Sequence, residues 1–439
     1  MKELKHLKHL SSVKTNAGVK FLTPAAFPGN HCPMHTALAL SARVKGMSTL
    51  VVGTPECGTY SRNVVYNIKS QEGELHWTYI LDSNEVVFGC RKGLIKTIKE
   101  MDKSGAKAIM IILTCVPEII GEDIEGIVHE TQPEVSAQLT YVLMAHFKCN
   151  SYPSGYWKTL VAFGNLMKKG KRSTDTINIL GRSPREKHVP MPGLLTALEK
   201  RGFYLRMLAP KSDVEDFIVS PDAALNIVLS PFMNPLAEMM WEKFKVPFIS
   251  LHETYDVFEI DDLYEAVEKA LKIKFNHEFD EWRERAIELQ KQAKDLFRGK
   301  SYILTNIGAM MPLPFVLYLT KFEMEPMLLH MDEFYPDDRK WAKAIKEQGY
   351  DPMICHMVND NADIELLEGI EAELLEGIEA ELFLGELLKD SSSIPCVPYL
   401  EDLYGQIGYE RTVALLNRML KVYEKVKDEE IRRNSHGNS

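Results

Sequence analysis

Ala108-Ile109-Met110-Ile111-Ile112-Leu113-Thr114-Cys115-Val116-Pro117-Glu118 is the stretch that decides the fold of this chain. Six consecutive apolar residues leave no side for water, so the run reads as a short strand buried on both faces. Arg91 to Lys103 before it and Glu118 to Val128 after it read as helices. Helix, buried strand and helix in succession form the repeating unit of a parallel α/β sheet. Cys115 then sits just past a strand's carboxyl end, where open α/β sheets place their sites.

The same alternation extends in both directions. Thr36 to Ala42 is rich in helix formers and stops at Gly46, and Met47 to Val52 is a second buried strand. Gly53-Thr54-Pro55-Glu56 turns the chain, and Cys57 follows near a helix start. Val86-Val87-Phe88 reads as a strand ending at Gly89. Thr176 to Leu180, Leu225 to Leu229, Phe248 to Leu251 and Tyr302 to Asn306 read as further strands. The polar helix Phe279 to Arg298 reads as a connector between domains. The first 20 residues look basic and either helical or frayed. Residues 365–380 repeat Glu-Leu-Leu-Glu-Gly-Ile-Glu-Ala twice, which suits an acidic amphipathic surface helix. Arg411 to Glu430 is a last amphipathic helix.

At 439 residues the chain exceeds one ordinary core, so two or three domains are expected. The boundaries fall at 1–155, 156–298 and 299–404, with a C-terminal helix over 405–435 rejoining the first segment. A formal net charge of -10 argues against nucleic acid as a partner. Met1-Lys2-Glu3-Leu4-Lys5-His6 lacks an apolar signal core, and no stretch approaches the ~20 apolar residues of a membrane span. Seven cysteines are too sparse for a secreted disulfide scaffold, so a cytoplasmic, reducing setting is expected.

Three of those cysteines carry the chemistry. Cys32, Cys57 and Cys115 are separated by 57 − 32 = 25 and 115 − 57 = 58 residues, so none forms a CxxC clip. Their flanks, Pro28-Gly29-Asn30-His31-Cys32-Pro33 and Gly53-Thr54-Pro55-Glu56-Cys57-Gly58, are turn-rich. Such loops aim backbone N–H groups at sulfur. Three converging thiolates point to an iron–sulfur cluster or another soft metal site, although cysteine is often simply buried. Cys149, in a loop before Tyr152, is a further candidate for the same site. Cys355 and His356 are neighbours on a strand and so face opposite ways. Cys90 and Cys396 read as buried thiols. Gly164 to Gly170 encloses five residues where a phosphate loop needs four, and no strand precedes it, so it reads as a helix end. There is no GxGxxG after a strand, no GxSxG and no HExxH.

With these loops read, the chain resembles the component 1 family of nitrogenase and nitrogenase-like enzymes. Cys57-Gly58-Thr59-Tyr60-Ser61-Arg62 is similar to the family's cluster loop. Val87-Phe88-Gly89 resembles its VFGG turn. Thr114-Cys115-Val116-Pro117-Glu118-Ile119-Ile120-Gly121-Glu122-Asp123 resembles its TCxxExIGDD signature. The cysteine gaps fit the β-type subunit. The resemblance implies three doubly wound, Rossmann-like α/β domains with mainly parallel sheets. It implies an iron–sulfur cluster at a subunit interface, either 4Fe-4S or a larger P-cluster-like 8Fe-7S. Cys32, Cys57 and Cys115 would be its thiolate ligands, with Ser151 at the place where a β-type serine approaches. The implied partners are an ATP-dependent iron–sulfur reductase, which supplies electrons, and a homologous α-type subunit or a second copy of this chain.

The departures from the family pattern narrow the function. The two metallocofactor ligands of an α-type subunit fall near Ser230 and Leu400, and neither residue replaces them. Cys90 stands at the second glycine of VFGG. An electron-transferring, β-type oxidoreductase subunit is therefore expected. A tetrapyrrole- or carbon–sulfur-reducing relative and a cofactor-assembly scaffold are the alternatives.

Overall fold

The computed structural model describes residues 7–15, 18–21, 32–66, 73–147, 152–183, 189–305, 311–331, 334–335, 338–356, 381–385, 395–397, 400–403 and 405–436. The strands, in chain order, are β1 (Lys8–His9), β2 (Lys20–Phe21), β3 (Met47–Gly53), β4 (His76–Ile80), β5 (Ala108–Leu113), β6 (Gln138–Leu143), β7 (Thr176–Leu180) and β8 (Tyr204–Leu208). They continue with β9 (Leu225–Val228), β10 (Phe248–Ser250), β11 (Ser301–Leu304), β12 (Glu325–Met331), β13 (Met353–His356), β14 (Leu382–Leu384) and β15 (Cys396–Val397). The chain forms two compact units. One comprises Asn30–Lys187 and Arg201–Ser250, the other Met1–Gly29, His188–Lys200 and Leu251–Ser439.

Among the described residues the first unit holds two parallel sheets, ordered β4-β3-β5-β6 and β10-β9-β7-β8. In each, the earliest strand lies inside and the chain winds outward both ways, which is the doubly wound arrangement. β3 and β5 pair from Met47 opposite Ala108 to Val52 opposite Leu113. Strand alternation then sorts their side chains onto two faces. Met47, Val51, Met110 and Ile112 join the helices Pro33–Ser41 and Tyr152–Phe163 in one core. Leu50, Val52, Ile109, Ile111 and Leu113 join Arg91–Lys103 and Ile124–Thr131 in the other. Every residue of β5 is fully buried, as its composition requires.

Among the described residues the second unit holds one sheet, with β13-β12-β11-β14-β15 parallel and again wound both ways from its first main strand. β1 pairs antiparallel and β2 parallel with β13. Expected to be helical or frayed, the N-terminal segment instead extends this sheet. Ser11 secures it by donating from its N and Oγ to Asp351, at 2.8 and 2.6 Å. The partner strand lies more than 300 residues away in sequence, so no local pattern announces the pairing. The polar helix Asp280–Phe297 buries Ala286, Leu289, Ala293 and Phe297 on one stripe and packs on the C-terminal helix Gly408–His436.

Two local expectations are corrected. Val86-Val87-Phe88 is helical, within Ser83–Phe88, where a strand was expected. The Asp82 carboxylate accepts from the N–H groups of Asn84 and Glu85 at 2.8 and 2.9 Å, while the Glu85 carboxylate accepts from Asp82 N at 3.1 Å. That reciprocal cap fixes a helical turn against the strand preference of two valines and a phenylalanine. The helix expected over Glu118 to Val128 is split into Cys115–Ile119 and Ile124–Thr131, with Gly121 at φ 75° between them. The repeat at 365–380 lies outside the described residues.

Candidate cluster site

The cysteines are placed by strand ends and helix starts. β3 and β5 are adjacent and parallel, so their carboxyl ends, Gly53 and Thr114, lie side by side. Cys57 is the third residue of helix Pro55–Val65, which follows β3, and Cys115 opens helix Cys115–Ile119, which follows β5. Cys32 caps helix Pro33–Ser41, whose Pro33 occupies the first position, where a missing N–H costs nothing. All three thiols are free and half-buried, and Cys32 and Cys57 rest against the core beneath.

Close packing holds Cys57 in place. Its Sγ lies 3.5 Å from Thr114 Oγ1 and 3.6 Å from Thr54 Oγ1, while Thr114 Oγ1 itself donates to Val52 O at 2.9 Å. A Cβ added at Gly53 would stand 2.3 Å from Thr114 Oγ1 and 2.9 Å from Cys57 Sγ. Only glycine admits this approach. Ser61 Oγ donates to Cys57 O at 2.6 Å and tightens the same helical turn.

Backbone N–H groups face the other two sulfurs. His146 N donates to Cys115 Sγ at 3.2 Å. Burial pushes the Cys32 thiol above its ordinary range, and the backbone N–H groups of Met34 and His35 act in the opposite sense. Cys115 and Cys57 also raise the Cys32 thiol. Both therefore lie within electrostatic reach of it, and one thiolate there opposes another. A positive centre among them would relieve that opposition. Among the described residues, no set of three or more His, Cys, Asp or Glu side chains is gathered tightly enough to hold one metal ion. A cluster that takes one thiolate per iron needs a wider spacing than a single ion does. The donor set is purely sulfur, half-buried and supplied with N–H donors, which fits a soft iron–sulfur group.

The remaining candidates lie elsewhere. Cys90 is buried in the opposite core of the same sheet, with Leu94 and Ile98. Its backbone is unstrained at φ -105°, so the departure from glycine costs no backbone adjustment. Cys355 is buried within β13, and Cys396 Sγ donates to Gly385 O at 3.5 Å. Cys149 and Ser151 lie outside the described residues. The nearby helix does reach Cys32's neighbour: a Cβ at Gly155 would meet Pro33 Cβ at 3.3 Å. Ser230 and Leu400 are both buried, and a Cβ at Gly181 would stand 2.5 Å from Ser230 Cβ. The supporting roles of Gly53, Thr54, Thr114 and His146 were not read from sequence. The Gly53-Thr54 and Thr114-Cys115 junctions were the only signal, since small residues at strand ends permit such approach.

This fold is shared with solved structures. A structure titled "Nitrogenase Cp1 at pH 6.5" matches with a TM-score of 0.66 at 16% identity, covering 93% of this chain and 96% of that one. A second, "Nitrogenase Cp1 at pH 5", matches with a TM-score of 0.58 at 16% identity, covering 96% and 94%. At that identity the likeness establishes the fold alone, one built of doubly wound α/β sheets. The family model "Nitrogenase component 1 type Oxidoreductase" matches residues 32–424, and the chain belongs to that family of oxidoreductases. Among curated relatives, the nitrogenase molybdenum-iron protein beta chain of Methanothermobacter thermautotrophicus is 24% identical over 218 residues, 49% of this chain and 44% of that protein. A light-independent protochlorophyllide reductase component of Picosynechococcus sp. is 23% identical over 188 residues, 39% of this chain and 37% of that protein. The chain thus spans less than half the length of these curated relatives.

Proposed function

We propose that this chain is an iron–sulfur electron-transfer subunit of a nitrogenase-like reductase, taking electrons from an ATP-dependent iron–sulfur reductase and relaying them to a reduction site. The observation that carries the reading is the placement of Cys32, Cys57 and Cys115. All three are half-buried and lie at helix starts, and two of those helices follow the adjacent parallel strands β3 and β5. They would be the thiolate ligands, with Ser151 or Cys149 as a further donor from this chain. A 4Fe-4S cluster, or a P-cluster-like 8Fe-7S one, would supply one-electron storage at that point.

The chain's own residues hold and tune the site. Thr114 and Thr54 fix Cys57, the His146 N–H lowers the charge density on Cys115, and the apolar core beneath limits water. The half-exposure of the thiols suits an interface completed by an α-type subunit or a second copy. Val87 and Phe88, 69% and 84% exposed, suit a docking partner. We also retain three segments, 1–155, 156–298 and 299–404, as the proposed domain division. A cytoplasmic setting is proposed with this function, since half-buried thiols at Cys32, Cys57 and Cys115 keep their chemistry in a reducing compartment. Among the described residues, no helix is long and apolar enough to cross a membrane.

Ser230 and Leu400 favour a second reading of the substrate. Neither side chain holds a metallocofactor in the α-type way, so the partner subunit would carry the reduction site, or the substrate would be a tetrapyrrole. Anaerobic purification with iron and sulfide analysis tests the main proposal. Stoichiometric iron and acid-labile sulfide, lost together on Cys→Ala substitution, are expected. A folded, colourless, iron-free protein would end it.

A further inference from the structure

A basic pocket of about 450 Å³ opens in the second unit, between the N-terminal segment and the helix Asp338–Glu347. Its volume falls in the range of small-molecule sites. Leu10, Val13 and Phe334 are buried and give it an apolar floor. Lys14 stands on one wall and Arg339, Lys343 and Lys346 on the other. The latter three are spaced four and three residues apart, so they form one row along the helix face, about 10 Å long at 1.5 Å per residue. Lys14, Arg339 and Lys346 make no ion pair among the described residues, and Lys343 has only the exposed Glu347, at 3.7 Å. Three cations along one helix face and a fourth across an apolar floor offer an anion several opposite charges at once.

We propose that this pocket binds an organic phosphate with an apolar body, independently of the cluster site. The body lies on Leu10, Val13 and Phe334, and the phosphate meets the lysine row. The cation set favours phosphate over carboxylate. Three of the four cations are lysines, and Arg339 donates its Nε to Lys14 O at 3.1 Å, which takes the side-on Nε–Nη fork away from a carboxylate. Lysines act as point charges, which suits a phosphate carrying close to two negative charges. A second structural feature keeps the pocket open. Asp351 clamps Ser11, and Leu10 N donates to Pro352 O at 2.9 Å, so the N-terminal wall is fixed to the sheet.

The test uses the full chain and three probes: 1-naphthyl phosphate, 1-naphthoate and inorganic phosphate, titrated by naphthyl fluorescence and by calorimetry. The phosphate ester should bind at least tenfold more tightly than either of the others. Lys343→Glu with Lys346→Glu, both at exposed positions, should weaken it at least tenfold without changing the thermal midpoint. Ala342 also lines the pocket and is buried, so Ala342→Phe, which fills the floor, should weaken the ester while leaving inorganic phosphate unchanged. No binding of the ester, equal binding of the naphthoate, or wild-type affinity in the double variant would each overturn the proposal.

Discussion

The first sheet carries cysteines on both of its faces, and they live in different chemistry. On one side Cys57 and Cys32 are half-buried, Cys57 beside the Thr54 and Thr114 hydroxyls and Cys32 beside the backbone N–H groups of Met34 and His35. On the other, Cys90 is 1% exposed among Leu94, Ile98 and Leu113. Its thiol is pushed far above the ordinary range by burial and then by the Glu122 carboxylate. A thiol pressed by burial and a carboxylate stays protonated and behaves as a small apolar group. A thiol among N–H donors, open on one side, can give up its proton to a metal. Residue type is the same on both faces, and environment makes the difference.

The sharpest way to break this comparison is Cys57→Ala. It should remove most of the iron and sulfide from the anaerobically purified protein, because one iron loses its thiolate, while circular dichroism stays that of the folded chain. Full iron occupancy with an unchanged EPR spectrum would show that Cys57 is no ligand. Gly53→Ala comes next. Its new Cβ would meet Thr114 Oγ1 at 2.3 Å and Cys57 Sγ at 2.9 Å, so the strand end must shift. Overpacking of this kind costs about 1–3 kcal/mol, readable as a lower denaturation midpoint, and iron content should fall with it. A variant as stable as wild type would mean that the approach of β3 to Cys57 is loose.

How far the comparison could be read in advance depends on how local its causes are. β5 was legible because six apolar residues leave no alternative to burial on both faces. Cys115 was legible because it follows that strand directly. Val86-Val87-Phe88 was misread because the deciding residues, Asp82 and Glu85, lie in the preceding turn and act through side-chain caps. β4 and β6 were not read at all: His76–Ile80 is only half-buried and polar at both its first and third positions, and Gln138–Leu143 mixes polar and apolar residues. The pairing of β1 with β13 and the three-cation row beside Lys14 join segments over 300 residues apart. Such contacts follow from topology, which local periodicity does not encode. Thr114 and His146 support the thiols for the same reason.

Cys90→Ala tests the buried side of the comparison. Iron content should not change, and the loss of one buried sulfur should cost on the order of 1–2 kcal/mol. The pH dependence carries a cleaner signal. An unfolded cysteine titrates near about 8.5, whereas burial and Glu122 keep Cys90 protonated in the fold. Above that pH the folded state retains a proton that the unfolded state has lost. The contribution of Cys90 is therefore complete below about pH 8.5 and declines as pH rises, by at most ~1.4 kcal/mol per unit. Cys90→Ala should flatten the alkaline arm of the stability profile. An unchanged alkaline arm, or loss of iron, would move Cys90 to the other side of the comparison.

The smallest effect on stability is expected at the exposed rim. Val87 and Phe88 bury little, and substitutions at such positions change stability by no more than about 0.5 kcal/mol. Val87→Ser with Phe88→Ser should accordingly leave the thermal midpoint and the iron content as they are. A functional partner that docks here would lose apolar area with both changes, and the rate of electron delivery from the reductase should fall severalfold through a weaker complex. The decisive readout is the dependence of that rate on reductase concentration. A higher half-saturating concentration with an unchanged maximum locates the defect in docking, and a lower maximum at saturation locates it in the thiol site. If neither moves, the two side chains are exposed only because the Asp82 and Glu85 cap turns them outward, and this rim plays no part in partner binding.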